Sequence, residues 1–363
     1  MNEQKMISSI EDFQLVYDEE LKSLKRPTVL ICGYTGTGKT TLIQKICGED
    51  MVPEDEIAHD APGTKVFKEY TTPLIRFWDS RGLEPGDEEE EFLSRTRDFV
   101  RNVQRSESVD DHIHIVWYCI QGPGARVTKS DERLINEIFG KENTLVLITK
   151  NDITKPIQRD SITSYLISKG VPEDMIIPVS EDDPDSLNMV VQITHKLLPE
   201  AYKDAFISAQ ILSIVEKKEL ASTIIDSAST LALTSGWVPL PNTNAPIISV
   251  IQAKMISNLA MLYGFDKKEL MTILAPTLGR LVGKQLASSL AKLIPGLGNM
   301  ISGGHASIIT RALGRQVQSY LEKAAIDSLE GKPKDSFKFE WSEFENIFQV
   351  LIKSYKEGIN IFK

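Results

Sequence analysis

The sequence predicts an α/β domain built on a mostly parallel sheet of six strands, followed by an all-α domain. Three observations predict it. Short apolar strand patterns alternate with helical ones from residue 27 to 200, and strand patterns stop after that point. A glycine-rich turn, "GYTGTGKTT" at 33–41, sits directly between the first strand and a helix. Alternation of this kind favours a parallel sheet with helices on both faces, because a parallel crossover needs a connection long enough to hold a helix.

Residues 7–25 read as an amphipathic helix, with Ile10, Phe13, Val16, Tyr17 and Leu21 at helical spacing, in an N-terminal segment of residues 1–26. The expected strands are "TVLICG" (28–33), "KVFKEYTT" (65–72), "PLIRFWD" (73–79), "IHIVWYCI" (113–120), "TLVLIT" (144–149) and "MIIPVS" (175–180). Helical patterns follow most of them, at 39–47, 88–105, 129–138, 157–168 and 184–198. The second and third strands have almost no room between them and form the antiparallel edge. A helical domain is expected over 201–330, rich in Ala, Ser, Ile and Leu and broken at "GWVPLPNTNAP", "YGFDKK", "IPGLGN" and "SGG". The linker "EGKPKDS" opens the last segment, 331–363, which ends in an amphipathic helix carrying Trp341, Phe344, Ile347, Phe348 and Leu351.

The chain has 363 residues, more than one ordinary domain, with 41% hydrophobic and 25% charged residues, as is usual for a globular protein. Its first twenty residues are polar and acidic, unlike a secretory leader. Three cysteines, Cys32, Cys47 and Cys119, fall in core strands and a helix, which predicts reduced thiols and a cytoplasmic location. Net charge is −10 but uneven: residues 1–200 hold 23 basic against 37 acidic side chains, and residues 201–363 hold 18 against 14. The acidic front half argues against sequence-independent DNA binding there.

The glycine-rich turn fits G-x-x-x-x-G-K-[ST], with Gly33, Gly38, Lys39 and Thr40 at the required places. Such a loop cradles phosphates because glycines let successive N–H groups point inward, while the next helix offers its positive end. The nucleotide-contacting set over this stretch is Gly33, Thr35, Gly36, Thr37, Gly38, Lys39, Thr40 and Thr41. Lys39 is expected to neutralise the β- and γ-phosphates and the Thr40 hydroxyl to ligate Mg²⁺. "WDSRG" ends the third strand, where Asp79 can hold Mg²⁺ through water and the Gly82 amide can reach a γ-phosphate. "ITKND" ends the fifth strand, with Thr149, Lys150 and Asp152. A carboxylate there can accept both N1–H and N2–H₂ of guanine, a donor pair that adenine lacks, with the Lys150 stem along the base. Ser180 in "IPVSED" closes the sixth strand, its backbone amide expected at guanine O6. An ATP-dependent enzyme is the competing reading, and it requires Asp152 to have no part in base recognition.

In this order, "GYTGTGKT", "DSRG", "TKND" and "PVS" resemble the G1, G3, G4 and G5 motifs of translation-factor-class GTPases, and are most similar to Era-like GTPases. The resemblance implies a Ras-like P-loop NTPase domain over 27–200, GTP and GDP as ligands with Mg²⁺, and GTP hydrolysis driving nucleotide-dependent switches. By the same resemblance Thr64, in "APGTK", matches the switch I threonine that completes Mg²⁺ coordination, so that Thr40, Thr64 and Asp79 form the metal set and Lys39, Thr64 and Gly82 the catalytic one. Two positions depart from the pattern. Thr149 stands where the family usually has Asn, and Leu83 stands where Ras-like proteins have the glutamine that orients water. Leucine cannot position water, so either hydrolysis is slow, or Arg81, a second copy across a GTPase-domain homodimer, or a partner supplies the group. A GTP-binding module that hardly hydrolyses is the alternative.

His112 and His114 in "DDHIHIVWYCI" are expected on one strand face, in core or interface roles. The stretch "GPGARVTKSDERLI", with Arg126 and Asp131, is similar in layout to septin and Era-like branches. Further on, "APIISVIQAKMISNLAMLYGFD" and "LIPGLGNMISGGHASIITRALGRQ" resemble a helical C-terminal family of unknown function appended to some Era-like GTPases and often described as membrane-associated. In 270–294, Leu278, Val282, Leu286, Leu290 and Leu293 share one face, and Arg280, Lys284 and Lys292 interrupt any apolar span. A soluble helical core and peripheral membrane contact both stay open. RNA binding is not inherited, since no βααβ pattern or basic G-x-x-G loop is present.

Overall fold

The computed structural model describes residues 10–52, 67–80, 89–124, 126–234, 250–272, 303–329 and 332. Thr64, Gly82, Arg81 and Leu83 lie outside these residues, as do the whole apolar face at 278–293 and the helix carrying Trp341. The chain divides into two units: a sheet unit, Leu24–Ser213, and a helical unit made of Met1–Ser23 and Ile214–Lys363.

The sheet unit contains β1 (Thr28–Gly33), β2 (Phe67–Thr71), β3 (Arg76–Ser80), β4 (Ile115–Gln121), β5 (Thr144–Thr149) and β6 (Ile176–Pro178). Their order across the sheet is β2-β3-β1-β4-β5-β6, with β2 antiparallel to β3 and the other pairs parallel. Every residue of β1 and β5 is buried, as the uninterrupted apolar runs require of strands covered on both faces. The turn between β2 and β3 takes four residues, 72–75, where the pattern "KVFKEYTTPLIRFWD" left none between the strands. The Thr72 hydroxyl accepts from the amides of Leu74 and Ile75, both at 3.2 Å, and takes those residues out of the ladder.

Helices α2 (Lys39–Cys47), α3 (Glu89–Val103), α4 (Lys129–Arg133), α5 (Pro156–Ser168), α6 (Pro184–Leu197) and α7 (Glu200–Ala209) connect or follow the strands. Their starts carry visible signals: Pro156 and Pro184 in the first turns of α5 and α6, and a Thr128–Asp131 capping box at α4. The helix expected over 129–138 continues from α4 as a wider π-type turn, Leu134–Phe139. On one face of the sheet Phe67 stacks on Phe99 at 3.8 Å, and on the other Trp117 donates to Thr194 Oγ1 at 2.9 Å, pinning α3 and α6 to the strands.

The helical unit gathers α1 (Ile10–Ser23), α8 (Ile214–Thr234), α9 (Val250–Leu262) and α10 (Gly303–Leu329). The first helix does not stand by itself. Tyr17 donates to the Phe265 carbonyl at 3.0 Å, and Glu20 accepts from Asn258 at 2.8 Å and pairs with Lys254 at 2.8 Å. Lys217, buried, caps the end of α9 by donating to the Leu262 carbonyl at 2.5 Å, a favourable place for a cation. Gly314 of α10 permits close helix contact, since a Cβ there would stand 2.8 Å from both Ile225 and Met255. Among the described residues no helix is long and apolar enough to cross a membrane.

His112 and His114 precede β4 and do not share a strand face, because pairing with β1 begins at Ile115 opposite Val29. The His114 Nδ1 accepts from the Thr28 amide at 3.0 Å, and its ring lies 3.9 Å from that of Tyr202 on α7. His112 Nε2 meets the Ser106 carbonyl at 3.0 Å. Both are anchors of the sheet unit. Burial lowers the His114 pKa from the ordinary 6.5 to about 4, opposed by the Asp110 carboxylate and reinforced by His112. The unfolded chain therefore binds a proton here below about pH 6.5 that the folded chain refuses until about pH 4, so stability rises with pH across that window. Urea midpoints should fall on acidification from about pH 7 to 5, and His114→Asn, which keeps an acceptor for Thr28 without titrating, should flatten that fall. An equally steep fall in the variant would assign the effect to other groups.

Candidate functional site

Four segments converge at the carboxyl ends of the parallel strands, the edge where open α/β sheets hold ligands. The first follows β1. Gly33, at φ +146°, passes so close to β4 that a Cβ would stand 2.3 Å from the Cys119 carbonyl oxygen. Gly36 (φ +78°) and Gly38 (φ +84°) have nothing within 4 Å of an added Cβ, so they serve the left-handed backbone and leave the loop open. Gly38 is the N-cap of α2 and supplies no side-chain cap, so the first-turn amides of Lys39, Thr40 and Thr41 present their N–H groups to whatever anion enters. Thr35 and Gly36 lie exposed on the crest of the loop.

Lys39 is buried, and its ammonium folds back onto the loop, donating to the carbonyls of Gly33 at 3.1 Å and Tyr34 at 3.2 Å. The Tyr34 carbonyl also accepts from the Thr37 hydroxyl at 2.9 Å. Thr37 therefore spends its side chain on shaping the loop and turns inward. Thr40 Oγ1 donates to Asp79 Oδ2 at 3.0 Å, which joins two of the three expected metal-binding side chains. Asp79 reaches this place because β3 lies beside β1, in register with Ile31. These are hard oxygen donors, a suitable set for Mg²⁺.

The second pair of segments lies across β4. Lys150 has φ +55°, the one positive φ outside glycine among the described residues, and backbone strain of this kind concentrates at functional turns. Thr154 holds it there by donating to the Lys150 carbonyl at 2.7 Å. Gly122 makes room for Thr154, since a Cβ on it would stand 2.1 Å from Thr154 Oγ1. The Thr149 side chain is buried, and its hydroxyl faces the Ile120 carbonyl of β4 at 3.4 Å, a role in fixing the turn. Asp152 and Ser180 come together, with Ser180 Oγ donating to Asp152 Oδ1 at 3.0 Å. The Ser180 amide, expected at a base oxygen, instead donates to Ser186 Oγ at 3.2 Å, because α6 starts immediately afterwards and turns Ser186 under the loop.

Sequence reasoning missed Tyr34, Thr128, Tyr118 and Ser186, and took Asp131 only as support for the fold. Asp131 is buried and accepts from Tyr118 at 2.5 Å and from the Thr128 amide and hydroxyl at 2.7 and 2.8 Å. Burial raises its pKa, and those hydrogen bonds oppose the rise. The "TKSD" capping pattern at 128–131 was the available signal. Burial also pushes the Cys32 thiol up to about 11 and Cys119 higher still, so both stay protonated thiols beside the loop.

Residues 28–151 match a family model described as "50S ribosome-binding GTPase". The sheet unit has the P-loop GTPase fold. Among solved structures, this GTPase-fold chain is similar to a probable GTP-binding protein engB, at 18% identity over 47% of this chain and 99% of that one, TM-score 0.35. It is also similar to Toc33 from Arabidopsis thaliana in complex with Mg²⁺ and GMPPNP, at 19% identity over 56% and 93%, TM-score 0.33. A third is Era from Aquifex aeolicus bound to GDP and AlF4⁻, at 17% identity over 58% and 68%, TM-score 0.36. A comparison with curated proteins finds no match.

The geometry separates two kinds of glycine in the loop. Gly33→Ala combines a backbone clash with a left-handed φ and should cost about 2–4 kcal/mol and remove nucleotide binding. Gly36→Ala meets open space and should cost about 1–2 kcal/mol from its φ alone. Urea denaturation of both variants checks the order, and equal costs would contradict the close approach of Gly33 to Cys119.

Proposed function

We propose that the sheet unit binds GTP and GDP with Mg²⁺ and hydrolyses GTP, and that the helical unit responds to the nucleotide state. The observation that carries this reading is the pairing of Asp152 with Ser180, from separate loops, at the same sheet edge as the phosphate loop. Ser180 fixes one carboxylate oxygen of Asp152, which orients the group to accept the paired N–H donors of guanine. With the Ser180 amide engaged by Ser186, base oxygen recognition falls to the amide that follows, at Glu181.

Thr40 and Asp79 would hold Mg²⁺, with Thr64 as the third ligand carried from the family resemblance; the ion would draw charge from the phosphates when bound. Lys39 leaves the Gly33 and Tyr34 carbonyls for phosphate oxygens, which are stronger acceptors for a cation. Hydrolysis is attack of water on the γ-phosphorus with departure of GDP, and Gly82 contributes an amide to the γ-phosphate. Leu83 supplies no water-orienting group, so intrinsic turnover is slow. That same residue favours the second reading, a GTP-binding module with little hydrolysis. Kinship with Era-like GTPases, a homodimer through the GTPase domain, peripheral membrane contact through the helical unit, a cytoplasmic location and the absence of a nucleic-acid partner complete the proposal.

Titration with fluorescent GDP, GTP and ATP analogues in Mg²⁺ tests the base site. Guanine nucleotides should bind selectively, and Asp152→Asn should shift preference toward xanthine nucleotides. Ser180→Ala should weaken GDP by about three- to tenfold, the worth of one hydrogen bond that positions the carboxylate. Equal binding of ATP and GTP would overturn the guanine assignment. Single-turnover assays then separate the two readings: phosphate release at high protein concentration supports the GTPase, and its absence supports the module.

A further inference from the structure

The P-loop has a side-chain connection that base and phosphate recognition do not use. Tyr34, the residue after Gly33, reaches out of the loop, and its hydroxyl lies 3.1 Å from Thr128 Oγ1, the N-cap of α4. The direction of this bond follows from the neighbours. Thr128 has one hydroxyl hydrogen and gives it to Asp131 Oδ2 at 2.8 Å, while its oxygen accepts from the Asp131 amide at 3.1 Å. Tyr34 is therefore the donor, and the order runs from the Tyr34 hydroxyl to the Thr128 hydroxyl to the buried Asp131 carboxylate. Tyr118 of β4 secures the other carboxylate oxygen, so the N-cap of α4 is held to the sheet as well as to the loop. Chains of hydroxyls donating in one sense reinforce one another.

The same turn of α4 continues the connection. Ser130, buried, donates to Glu89 Oε2 at 2.8 Å, and Arg133 pairs with Glu90. Glu89 and Glu90 are the first two residues of α3. Glu90 is largely solvated and Arg133 partly so, which leaves their pair worth little and the Ser130–Glu89 bond the stronger tie. At its other end, Tyr34 is the residue whose carbonyl holds both Lys39 and Thr37. A ligand that draws Lys39 away changes what that carbonyl accepts, and the hydroxyl of the same residue is fastened to α4.

We propose that Tyr34 is a positioning residue that couples occupancy of the phosphate loop to the start of α3 through the N-cap of α4. The proposal rests on the reading of this loop as a phosphate site. It differs from a γ-phosphate switch in that it responds to ligands with no γ-phosphate.

Hydrogen exchange of the α3 first-turn amides, measured on the full chain with and without Mg²⁺-GDP or Mg²⁺-pyrophosphate, tests it. Either ligand should change exchange there by about fivefold in the native protein, the scale of one net hydrogen bond. Tyr34→Phe removes one oxygen and should still bind GDP, while the ligand-induced change at α3 is lost. Ser130→Ala cuts the far end of the connection without touching the loop and should lose the same response, whereas Thr128→Ser, which retains the hydroxyl, should keep it. A purely structural contact would shift exchange equally with and without ligand, leaving the ligand-induced difference intact in Tyr34→Phe. That outcome, or no response to either ligand in the native protein, overturns the coupling. A response to pyrophosphate but not to GDP supports the coupling and counts against the guanine reading alone.

Discussion

The contact on which the site depends is the passage of Gly33 across the carbonyl of Cys119, too close for any side chain. It brings the end of β1 hard against β4 and sets where the glycine-rich loop begins. A second contact of the same kind lies a few residues along the same strand end, where Gly122 admits Thr154 and Thr154 holds the left-handed Lys150. Gly33 ends β1 and Gly122 follows β4, and between them they place the glycine-rich loop and the Lys150 turn relative to a single buried strand. Tolerances in such a packed interior are a few tenths of an ångström, which is why neither position has room to drift.

The net charge of the unit does not decide whether the glycine-rich loop can hold an anion. Residues 1–200 carry an excess of acid, yet the loop combines left-handed glycines, an uncapped helix start and one buried lysine. Those backbone dipoles act over a few ångströms, where they outweigh charges that solvent and salt screen. Net charge governs encounters with large polyanions, and local amide geometry governs a bound anion.

Much of this was legible in the sequence because it is local. The loop at 33–41, the strand runs at 28–33 and 144–149 and the helix at 39–47 depend on neighbours within a few residues, and they lie where the pattern puts them. What was illegible involves pairs far apart along the chain. Nothing in periodicity tells that Ser186 takes the Ser180 amide, or that Tyr34 reaches Thr128 across 94 residues. The alternation in "HIHIVWYCI" also misled, because strand length is set by the partner. The pairing of β1 with β4 begins at Val29 opposite Ile115, which leaves His114 to cap the Thr28 amide. The role of α1 was hidden for the same reason, its partners lying 234 to 249 residues away.

That last separation bears on the order of folding. The helical unit is interrupted in sequence, its first helix preceding the whole sheet unit and the rest following it. During synthesis α1 emerges early with an apolar face carrying Phe13 and Val16, both fully buried in the finished protein, and no α9 to receive it. The sheet unit holds its own core and its own short-range crossovers, so it can form while α1 waits. Closure of the helical unit comes last and carries the entropic cost of a very long loop, a cost that a prefolded sheet unit reduces by holding the intervening chain compact.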